Sequence, residues 1–319
     1  MPQRKIILPG GSGFLGRTLA KHFASQGDEV VVLTRGQTGS SKTYRSVHWD
    51  AETIGDWAVE LENADAVINL AGRTVNCRYT PKNRKQMMDS RVQSTLVLGE
   101  AMSKCTTPPP VWMNSSTATI YRHRYDAANT ESDGLYGATP EAKDAYSLEV
   151  AHAWEDAFQQ AYSDFELTST RGLILRTAMV FGSEPGGVYE TLRRLTKFGL
   201  GGKMADGKQF VSWLHARDFC YIVEHLISNN NSSGIYNLTA PHPVTNSEMM
   251  QTLRSELNIP IGLPAPRPLL EIGAFVMRTE TELIVKSRRV EPERLLHEGY
   301  DFHFSRMAGA VRSLEEELS

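Results

Sequence analysis

The chain has 319 residues, of which 40% are hydrophobic and 22% are charged, as in ordinary globular proteins. Such a length suits two domains, or one large α/β unit with an added lobe, and the composition excludes disordered, collagenous and coiled-coil chains. With 34 Lys and Arg against 37 Asp and Glu, the net charge of −3 provides no large positive field, so we expect no nucleic-acid partner.

The first elements alternate between strand and helix patterns. Lys5–Leu8 is a short apolar run, and Arg17–Gln26 carries its apolar residues at helical spacing. Glu29–Leu33 is a β-branched run of the kind buried in parallel sheets. Together these segments predict a βαβ unit.

Further strands are predicted along the chain at Ser46–Trp49, Ala66–Leu70, Val111–Asn114 and Leu173–Val180. A helix is expected between the first two of these strands. Strands that alternate with helical segments predict an α/β fold with a doubly wound parallel sheet and right-handed crossovers.

The second half of the chain has two irregular stretches. Gly199–Gly207 contains four glycines, and Ile259–Pro268 contains four prolines. We therefore predict a main domain over residues 1–183 plus about 212–238, and a substrate-binding lobe over 184–211 and 239–319. Ligands of open α/β sheets bind beyond the carboxyl ends of the strands, where such a lobe would close over them.

A glycine-rich motif joins the first strand to the first helix. It reads Gly10-Gly11-Ser12-Gly13-Phe14-Leu15-Gly16. Its spaced glycines allow a sharp turn, close approach of a pyrophosphate and close packing of helix on strand, and the helix N-terminus offers unpaired N–H groups to phosphates. The strand, turn and helix order favours a dinucleotide site over a glycine-rich turn without a ligand.

The end of the second strand indicates which dinucleotide is preferred. An NAD site places Asp or Glu there to bind the ribose hydroxyls. This strand ends in Leu33-Thr34-Arg35-Gly36 and has no carboxylate. Arg35 can bind a 2′-phosphate through charge-assisted hydrogen bonds, which favours NADP(H), whereas the alternative is a solvated arginine.

Two later strands end in residues suited to a crevice. Asn69–Gly72 ends in small residues, where a cofactor would run close to the backbone, although an ordinary turn has the same composition. Asn114–Tyr121 contains a hydroxyl cluster that could face a substrate or satisfy turn backbone groups.

The sequence indicates no other class of catalytic or metal site and no membrane or signal segment. The chain has no G-x-S-x-G, H-E-x-x-H, Walker or calcium-loop motif, and its three cysteines form no metal-ligand pattern, so no metal is expected. No run approaches the roughly 20 apolar residues of a membrane span, and the first apolar run is too short for a signal peptide. We expect a cytoplasmic protein with no membrane attachment.

The motifs resemble those of the extended short-chain dehydrogenases/reductases. The segments that carry the resemblance are Gly10–Gly16, Asn69–Gly72, Ser115–Tyr121, Leu175–Gly182 and Trp213–Asp218. More narrowly, the chain resembles their atypical branch, the sugar-nucleotide epimerase family, which is NAD-dependent epimerase/dehydratase-like with a characteristic C-terminal domain. The segments that carry this second resemblance are Ser90-Arg91 with Thr95, Trp154-Glu155, Gly199–Gly202, Gly207–His215 and Ala240–Asn246.

This resemblance, which runs nearly end to end, implies a Rossmann-type sheet with a smaller C-terminal α/β lobe, and it allows a homodimer. It also implies that Ser12 to Leu15 lie along the pyrophosphate and Arg35 at the 2′-phosphate. By the same resemblance, Asp50 lies beside the adenine and Leu70, Ala71 and Gly72 lie along the adenosine and ribose.

The resemblance places Thr117 at the substrate oxygen and Tyr146 at the catalytic tyrosine. The superfamily has a lysine four residues after that tyrosine, where this chain has Val150. A lysine there would share the helix face, lower the pKa of the phenol and bind the nicotinamide ribose, and valine can do none of these. The expected function is NADP(H)-dependent hydride transfer on a small carbonyl or sugar-nucleotide-like substrate. The alternative is an NADP(H) sensor or scaffold without turnover.

Overall fold

The computed structural model describes residues 3–276 and 280–319. Its strands are β1 (Lys5–Pro9), β2 (Glu29–Thr34), β3 (Gly39–Ser40), β4 (Arg45–His48), β5 (Ala66–Asn69), β6 (Val111–Thr117), β7 (Arg171–Thr177), β8 (Met179–Phe181), β9 (Phe210–Val211), β10 (Trp213–His215), β11 (Gly234–Leu238) and β12 (Val244–Thr245).

The α-helices are α1 (Phe14–Ser25), α2 (Pro81–Ser103), α3 (Ala145–Asp164), α4 (Val188–Leu195), α5 (Ala216–Ser228), α6 (Asn246–Glu256), α7 (Arg267–Val276), α8 (Glu282–Val285), α9 (Glu293–His297) and α10 (Met307–Glu317). Short 3₁₀ helices cover Asp56–Leu61 and Ala118–Ile120, and a π-helical turn covers Thr196–Leu200. Within the described residues, no helix is long and apolar enough to cross a membrane.

An eight-stranded sheet with the order β11-β7-β6-β5-β1-β2-β4-β3 forms the centre of the molecule. Its strands run parallel except β3, which pairs antiparallel with β4 at one edge. The strand order proceeds outward in both directions from β1, as the doubly wound prediction requires. The predicted Rossmann-type fold is confirmed.

Alternate residues of each inner strand bury against opposite layers of helices. Ile6 and Leu8 of β1 belong to the hydrophobic cluster that contains Phe23 of α1. Ile7, between them, belongs to the cluster that contains Leu98 of α2. Because both faces of the sheet are covered, its inner strands are apolar on both faces, which explains their continuous hydrophobic runs.

Two predicted elements differ in the structure. The single strand expected over Leu173–Val180 is two strands, because the chain leaves the main sheet at Ala178. From there, β8 pairs with β10 instead, and the N–H of Met179 donates to the carbonyl of Ser212 at 3.2 Å. The helix expected between β4 and β5 is only the 3₁₀ helix Asp56–Leu61.

The glycine-rich and proline-rich stretches pair with each other. The N–H of Leu263 donates to the carbonyl of Gly199 at 2.8 Å, and the N–H of Gly202 donates to the carbonyl of Leu263 at 3.2 Å. A separate hydrophobic cluster lies beside them and includes Tyr189 of α4, Met250 of α6 and other side chains from α10. The main sheet and this part of the chain therefore have distinct cores.

Residues 282–290, which we call the crossing segment, connect these parts. The segment contacts the turn that follows β6: Ser287 N–H donates to His123 Nδ1 at 2.8 Å. It also contacts β9, since Arg288 N–H donates to the carbonyl of Phe210 at 2.8 Å. The crossing segment thus lies beside the carboxyl end of β6.

Candidate functional site

The glycine loop is closely packed at its two ends. Gly10 has a φ of +71°, and a Cβ built on it would lie 2.5 Å from the Cα of Ala71. A Cβ on Gly16 would lie 2.2 Å from the carbonyl oxygen of Gly11. The loop therefore turns sharply against the end of β5 and brings α1 close to β1, as the glycine spacing predicts.

Gly13, in the middle of the loop, faces open space instead. A Cβ built on it would meet no atom within 4 Å. Gly13 precedes the first residue of α1, and it provides no side-chain cap, while the first turn contains no acidic residue. The first N–H groups of α1 are thus free of an acceptor side chain and carry the positive end of the helix dipole, which fits a pyrophosphate.

The neighbours of this helix N-terminus shape one side of the loop. The ring of Phe14 lies against Gly182 and Gly187, where an added Cβ would come within 3.0 and 2.9 Å of it. Arg17 donates to the carbonyls of Ser12 and Pro185, at 2.6 Å each. These contacts join the loop after β8 to the glycine loop.

Arg35 and Asp50 follow the carboxyl ends of the paired strands β2 and β4. Arg35 is exposed, and its side chain makes no hydrogen bond or ion pair with the residues that the structure describes. Asp50 is also exposed, but its Oδ1 accepts the N–H groups of Glu52 and Thr53 at 2.9 and 2.8 Å. Arg35 is available to a ligand, whereas the Asp50 carboxylate already closes a turn.

A buried amide network fixes the end of β5. Asn69 Oδ1 accepts the N–H of Ala71 at 3.0 Å, and its Nδ2 donates to Asn114 Oδ1 at 2.7 Å and Thr95 Oγ1 at 3.2 Å. The network links β5 to β6 and α2. It holds the backbone of Leu70, Ala71 and Gly72 in place beside Gly10.

In the hydroxyl cluster after β6, two hydroxyls are bonded within the protein and a third can still donate to a ligand. Ser116 donates to Glu155 Oε1 at 2.5 Å, and Thr119 Oγ1 accepts from Arg288 Nε at 3.0 Å. Thr117 Oγ1 accepts the N–H of Thr119 at 3.1 Å, which caps the following turn. Its own proton has no acceptor within residues 3–276 and 280–319, so Thr117 can still donate to a ligand.

Tyr146 is the second residue of α3, so it lies at the start of a helix as the resemblance implies, but its phenol is already bonded. The O–H donates to the carbonyl of Arg84 at 2.6 Å, and the Arg84 guanidinium lies 4.7 Å from the ring centroid. Burial raises the pKa of Tyr146, and the charge of Glu149 raises it further. The side chain is 8% exposed and packs beside Val150 and Met87.

A buried ion pair next to the hydroxyl cluster was not predicted from the sequence. Arg176 Nη2 lies 2.7 Å from Glu155 Oε2, and Arg176 Nε donates to Glu155 Oε1 at 2.9 Å. Arg176 also donates to the hydroxyls of Tyr121 and Tyr136 at 2.9 and 2.8 Å. The polar groups of this network, which lies next to Ser116, therefore hydrogen-bond to one another.

A second buried pair joins the crossing segment to the start of α3. Lys286 Nζ lies 2.6 Å from Asp144 Oδ2 and donates to the carbonyl of Thr119 at 2.6 Å. Burial lowers the pKa of Lys286 to about 8, the charge of Arg288 adds to this, and Asp144 opposes both. Burial also acts to raise the pKa of Asp144, but the hydrogen bonds from Lys286 and from the Thr139 N–H hold it below its ordinary value.

Known proteins resemble this chain over nearly its whole length. A model of the NAD dependent epimerase/dehydratase family matches residues 6–239, and a domain of unknown function, DUF1731, matches residues 265–314. Epimerase family protein SA0724 of Staphylococcus aureus strain N315 is 30% identical over 316 residues, which cover 98% of this chain and 100% of that protein.

Solved structures are similar over the same length. The crystal structure of human epimerase family protein SDR39U1 (isoform 2) with NADPH has a TM-score of 0.83 and 26% identity, and covers 98% of this chain and 99% of that one. UDP-N-acetylglucosamine 4-epimerase from Bacillus cereus shares the fold, with a TM-score of 0.74, 20% identity, and coverage of 99% and 96%. Because the family model extends from β1 to the end of the main sheet, the chain belongs to the NAD dependent epimerase/dehydratase family.

Proposed function

We propose that the protein binds NADP(H) and transfers hydride between it and a small carbonyl or sugar-nucleotide-like substrate. The observation that carries the proposal is the open, uncapped N-terminus of α1 at Gly13. An anionic group placed there meets free N–H groups and the helix dipole. The human relative solved with NADPH supports this assignment.

The preference for NADP(H) over NAD(H) rests on Arg35. This side chain is exposed at the end of β2 and free of other described partners, so it can form bidentate hydrogen bonds to a 2′-phosphate. The end of β2 also has no carboxylate that could bind the ribose hydroxyls of NAD(H). We propose that Asp50, one strand away, lies beside the adenine and leaves its turn bonds intact.

When bound, a reduced nicotinamide supplies hydride to a carbonyl carbon and leaves an alkoxide that must be protonated. The free proton of the Thr117 hydroxyl can hold the substrate oxygen. Tyr146 can supply a proton only after its O–H releases the carbonyl of Arg84. We therefore propose that substrate binding moves the phenol away from Arg84.

The hydrogen bond from Tyr146 to the carbonyl of Arg84 also supports a second candidate function. A phenol bonded to Arg84, with Val150 in an apolar cluster beside it, suits a protein that binds NADP(H) without turning over a substrate. The two functions differ in whether NADPH is consumed. Absorbance at 340 nm with aldehyde, ketone and nucleotide-sugar panels separates them.

Titration of NADPH and NADH by fluorescence tests the binding proposal. Replacing Arg35 by Ala removes charge-assisted hydrogen bonds worth about 1.5 to 3 kcal/mol. We expect NADPH to bind Arg35→Ala roughly 10- to 150-fold more weakly, with NADH affinity unchanged. Lys42→Ala, which removes another exposed cation, serves as the control. Equal affinity of the native protein for both cofactors would contradict the proposal.

A further inference from the structure

The position of the superfamily's lysine is apolar in this protein. Val150 is 7% exposed and packs with Met87 and Tyr146. Tyr146, Val150 and Trp154 are four residues apart, so they share one face of α3. No residue on this face supplies a positive charge beside the Tyr146 phenol.

A cation reaches the same face from the neighbouring helix. Arg91 belongs to α2, and its guanidinium carbon lies 4.9 Å from the ring centroid of Trp154. Trp154 comes one helical turn after Val150. Arg91 therefore contacts the face of α3 that begins with Tyr146.

Arg91 also reaches the end of β5, where the cofactor is proposed to run. A Cβ built on Gly72 would lie 3.1 Å from Arg91 Cζ and 3.4 Å from Arg91 Nε. A side chain at position 72 would therefore be in tight contact with the guanidinium. Arg91 thus lies between the proposed ribose path and the Tyr146 face of α3.

The guanidinium has no acidic partner within the described part of the chain. Arg91 is 8% exposed, and it donates from Nη1 to the carbonyl of Met87 at 2.9 Å and from Nη2 to the carbonyl of Arg73 at 3.1 Å. Its Nε–H makes no hydrogen bond to a described residue, and the Nε atom is not fully shielded from solvent. A buried cation without a carboxylate is costly, and a ligand at Gly72 would reduce that cost.

The charge of Arg91 acts on the Tyr146 phenol. Burial lowers the pKa of Arg91 to about 10, so the guanidinium remains charged at neutral pH. Burial and Glu149 raise the pKa of Tyr146, while the charges of Arg91 and Arg84 oppose them. The superfamily's lysine has the same effect on its tyrosine.

We propose that Arg91 takes the place of the missing lysine. Its Nε–H and free guanidinium N–H groups bind the hydroxyls of the nicotinamide-side ribose, and its charge keeps a positive potential at Tyr146. Arg91 is thus a positioning residue for the nicotinamide half of the cofactor. This inference rests on the proposed function, because it requires NADP(H) at the glycine loop.

Binding of NADPH and of a ligand that has only its adenosine half tests this role of Arg91. Adenosine 2′,5′-bisphosphate carries the adenosine and the 2′-phosphate, but it lacks the nicotinamide ribose. We expect Arg91→Met to weaken NADPH binding on the order of tenfold, the equivalent of one charge-assisted hydrogen bond, and to leave the bisphosphate affinity within about twofold. Lys85→Met, which removes an exposed cation from the same helix, should change neither affinity.

The outcomes separate the role of Arg91 from general structure and from the function proposed above. Equal losses for NADPH and the bisphosphate, or native NADPH affinity in Arg91→Met, would overturn the role of Arg91. Failure of the native protein to bind NADPH would overturn the proposed function instead. Arg91→Lys, which keeps the charge, should lose less NADPH affinity than Arg91→Met.

A measurement on the native protein covers the case in which Arg91→Met does not fold. The Nε–H resonance of Arg91, assigned by its absence in Arg91→Lys, should shift and exchange more slowly with NADPH but not with adenosine 2′,5′-bisphosphate. If NADPH shifts the glycine-loop amides and leaves this resonance unchanged, Arg91 does not bind the ribose.

Discussion

Gly13 and Gly16 lie three residues apart in the same loop, yet they face different surroundings. An added side chain at Gly13 would extend into open space, whereas a Cβ at Gly16 would collide with the carbonyl of Gly11. The backbone of Gly13 is extended, with φ of −80°, so other residues can adopt it. A substitution at Gly13 therefore tests ligand binding, whereas a substitution at Gly16 tests folding.

We predict that Gly13→Val abolishes NADPH binding and changes the free energy of unfolding by no more than about 0.5 kcal/mol. The valine would enter the space proposed for the pyrophosphate, and its Cβ would meet no described atom within 4 Å. Gly16→Ala should instead destabilise the fold by roughly 1 to 3 kcal/mol through overpacking. Urea unfolding and fluorescence titration measure the two effects; native NADPH affinity in Gly13→Val would move the phosphate site elsewhere.

Tyr146 and Thr117 have different predicted roles in turnover. If a carbonyl substrate is found, Tyr146→Phe should lower kcat strongly with little change in NADPH affinity, and Thr117→Ala should cost a smaller factor. Because burial raises the pKa of Tyr146, the phenol stays protonated through neutral pH. Carbonyl reduction should therefore proceed at pH 7, and alcohol oxidation should increase only toward alkaline pH.

Native turnover by Tyr146→Phe would exclude this tyrosine as the proton donor. Tyr121, which follows the hydroxyl cluster, is a poor replacement, since it is 1% exposed and its O–H donates to Asn237 Oδ1 at 2.9 Å. Burial raises its pKa to about 12, although the charge of Arg176 opposes this. The proton would then come from another group at the site or from water.

At the scale of elements, the crossing segment and α3 are joined through Lys286 and Asp144. Both side chains are buried, so removing one leaves the other without its counter-charge. We predict that Asp144→Asn lowers the free energy of unfolding at pH 7 by about 3 to 5 kcal/mol. Glu149→Gln, an exposed change in the second turn of α3, should have little effect on that free energy.

The cost of Asp144→Asn should depend on pH. Lys286 is charged in the folded protein below its pKa of about 8, so the pair is complete there and its attraction is lost as pH rises through that value. Since this pKa lies below the ordinary 10.5, the unfolded chain keeps the Lys286 proton to higher pH than the folded protein does. The free energy of unfolding of the native protein therefore increases with pH between about 8 and 10.5. Urea unfolding at pH 7 and 9 should show a smaller difference between native and Asp144→Asn protein at pH 9, and an equal or larger one would contradict this assignment.

Local patterns were sufficient to predict β1, α1 and β2, because each has its own hydrophobic period and the glycine motif lies between them. The end of β7 at Ala178 could not be predicted in this way. Ala178 N–H donates to the carbonyl of Leu238, and β8 pairs with β10, so partners far along the chain decide where the strand ends. No proline or glycine marks the break.

The same distinction applies to the candidate site. The glycine loop and Arg35 are recognisable because their chemistry lies in consecutive residues, whereas Lys286 gains its role only from Asp144 and Thr119, which are remote in sequence. Arg91 had a usable signal: it lies four residues after Met87 and four before Thr95, all buried on one stripe of α2. A charged residue on a buried stripe predicts a group that is not simply solvated.

At the scale of the whole molecule, the two hydrophobic cores should unfold together. The crossing segment bonds to the turn after β6 and to β9, so neither part is independent of the other. We predict a single thermal transition in which far-UV circular dichroism and tryptophan fluorescence coincide. Trp112 in the main sheet and Trp213 in the separate cluster that contains Tyr189 and Met250 are both fully buried and report on both parts. Two separated transitions would show that the crossing segment does not couple them.

The order in which a ribosome makes the chain gives the crossing segment a further consequence. Lys286 follows Thr119, whose carbonyl it binds, by 167 residues. The glycine loop and the first strands leave the exit tunnel early, while Asp144 has no counter-charge until the last part of the chain is made. A nascent chain therefore completes the glycine loop and the first strands long before the Lys286–Asp144 pair can form, and a chain that terminates between Asp144 and Lys286 would leave the Asp144 carboxylate without its counter-charge.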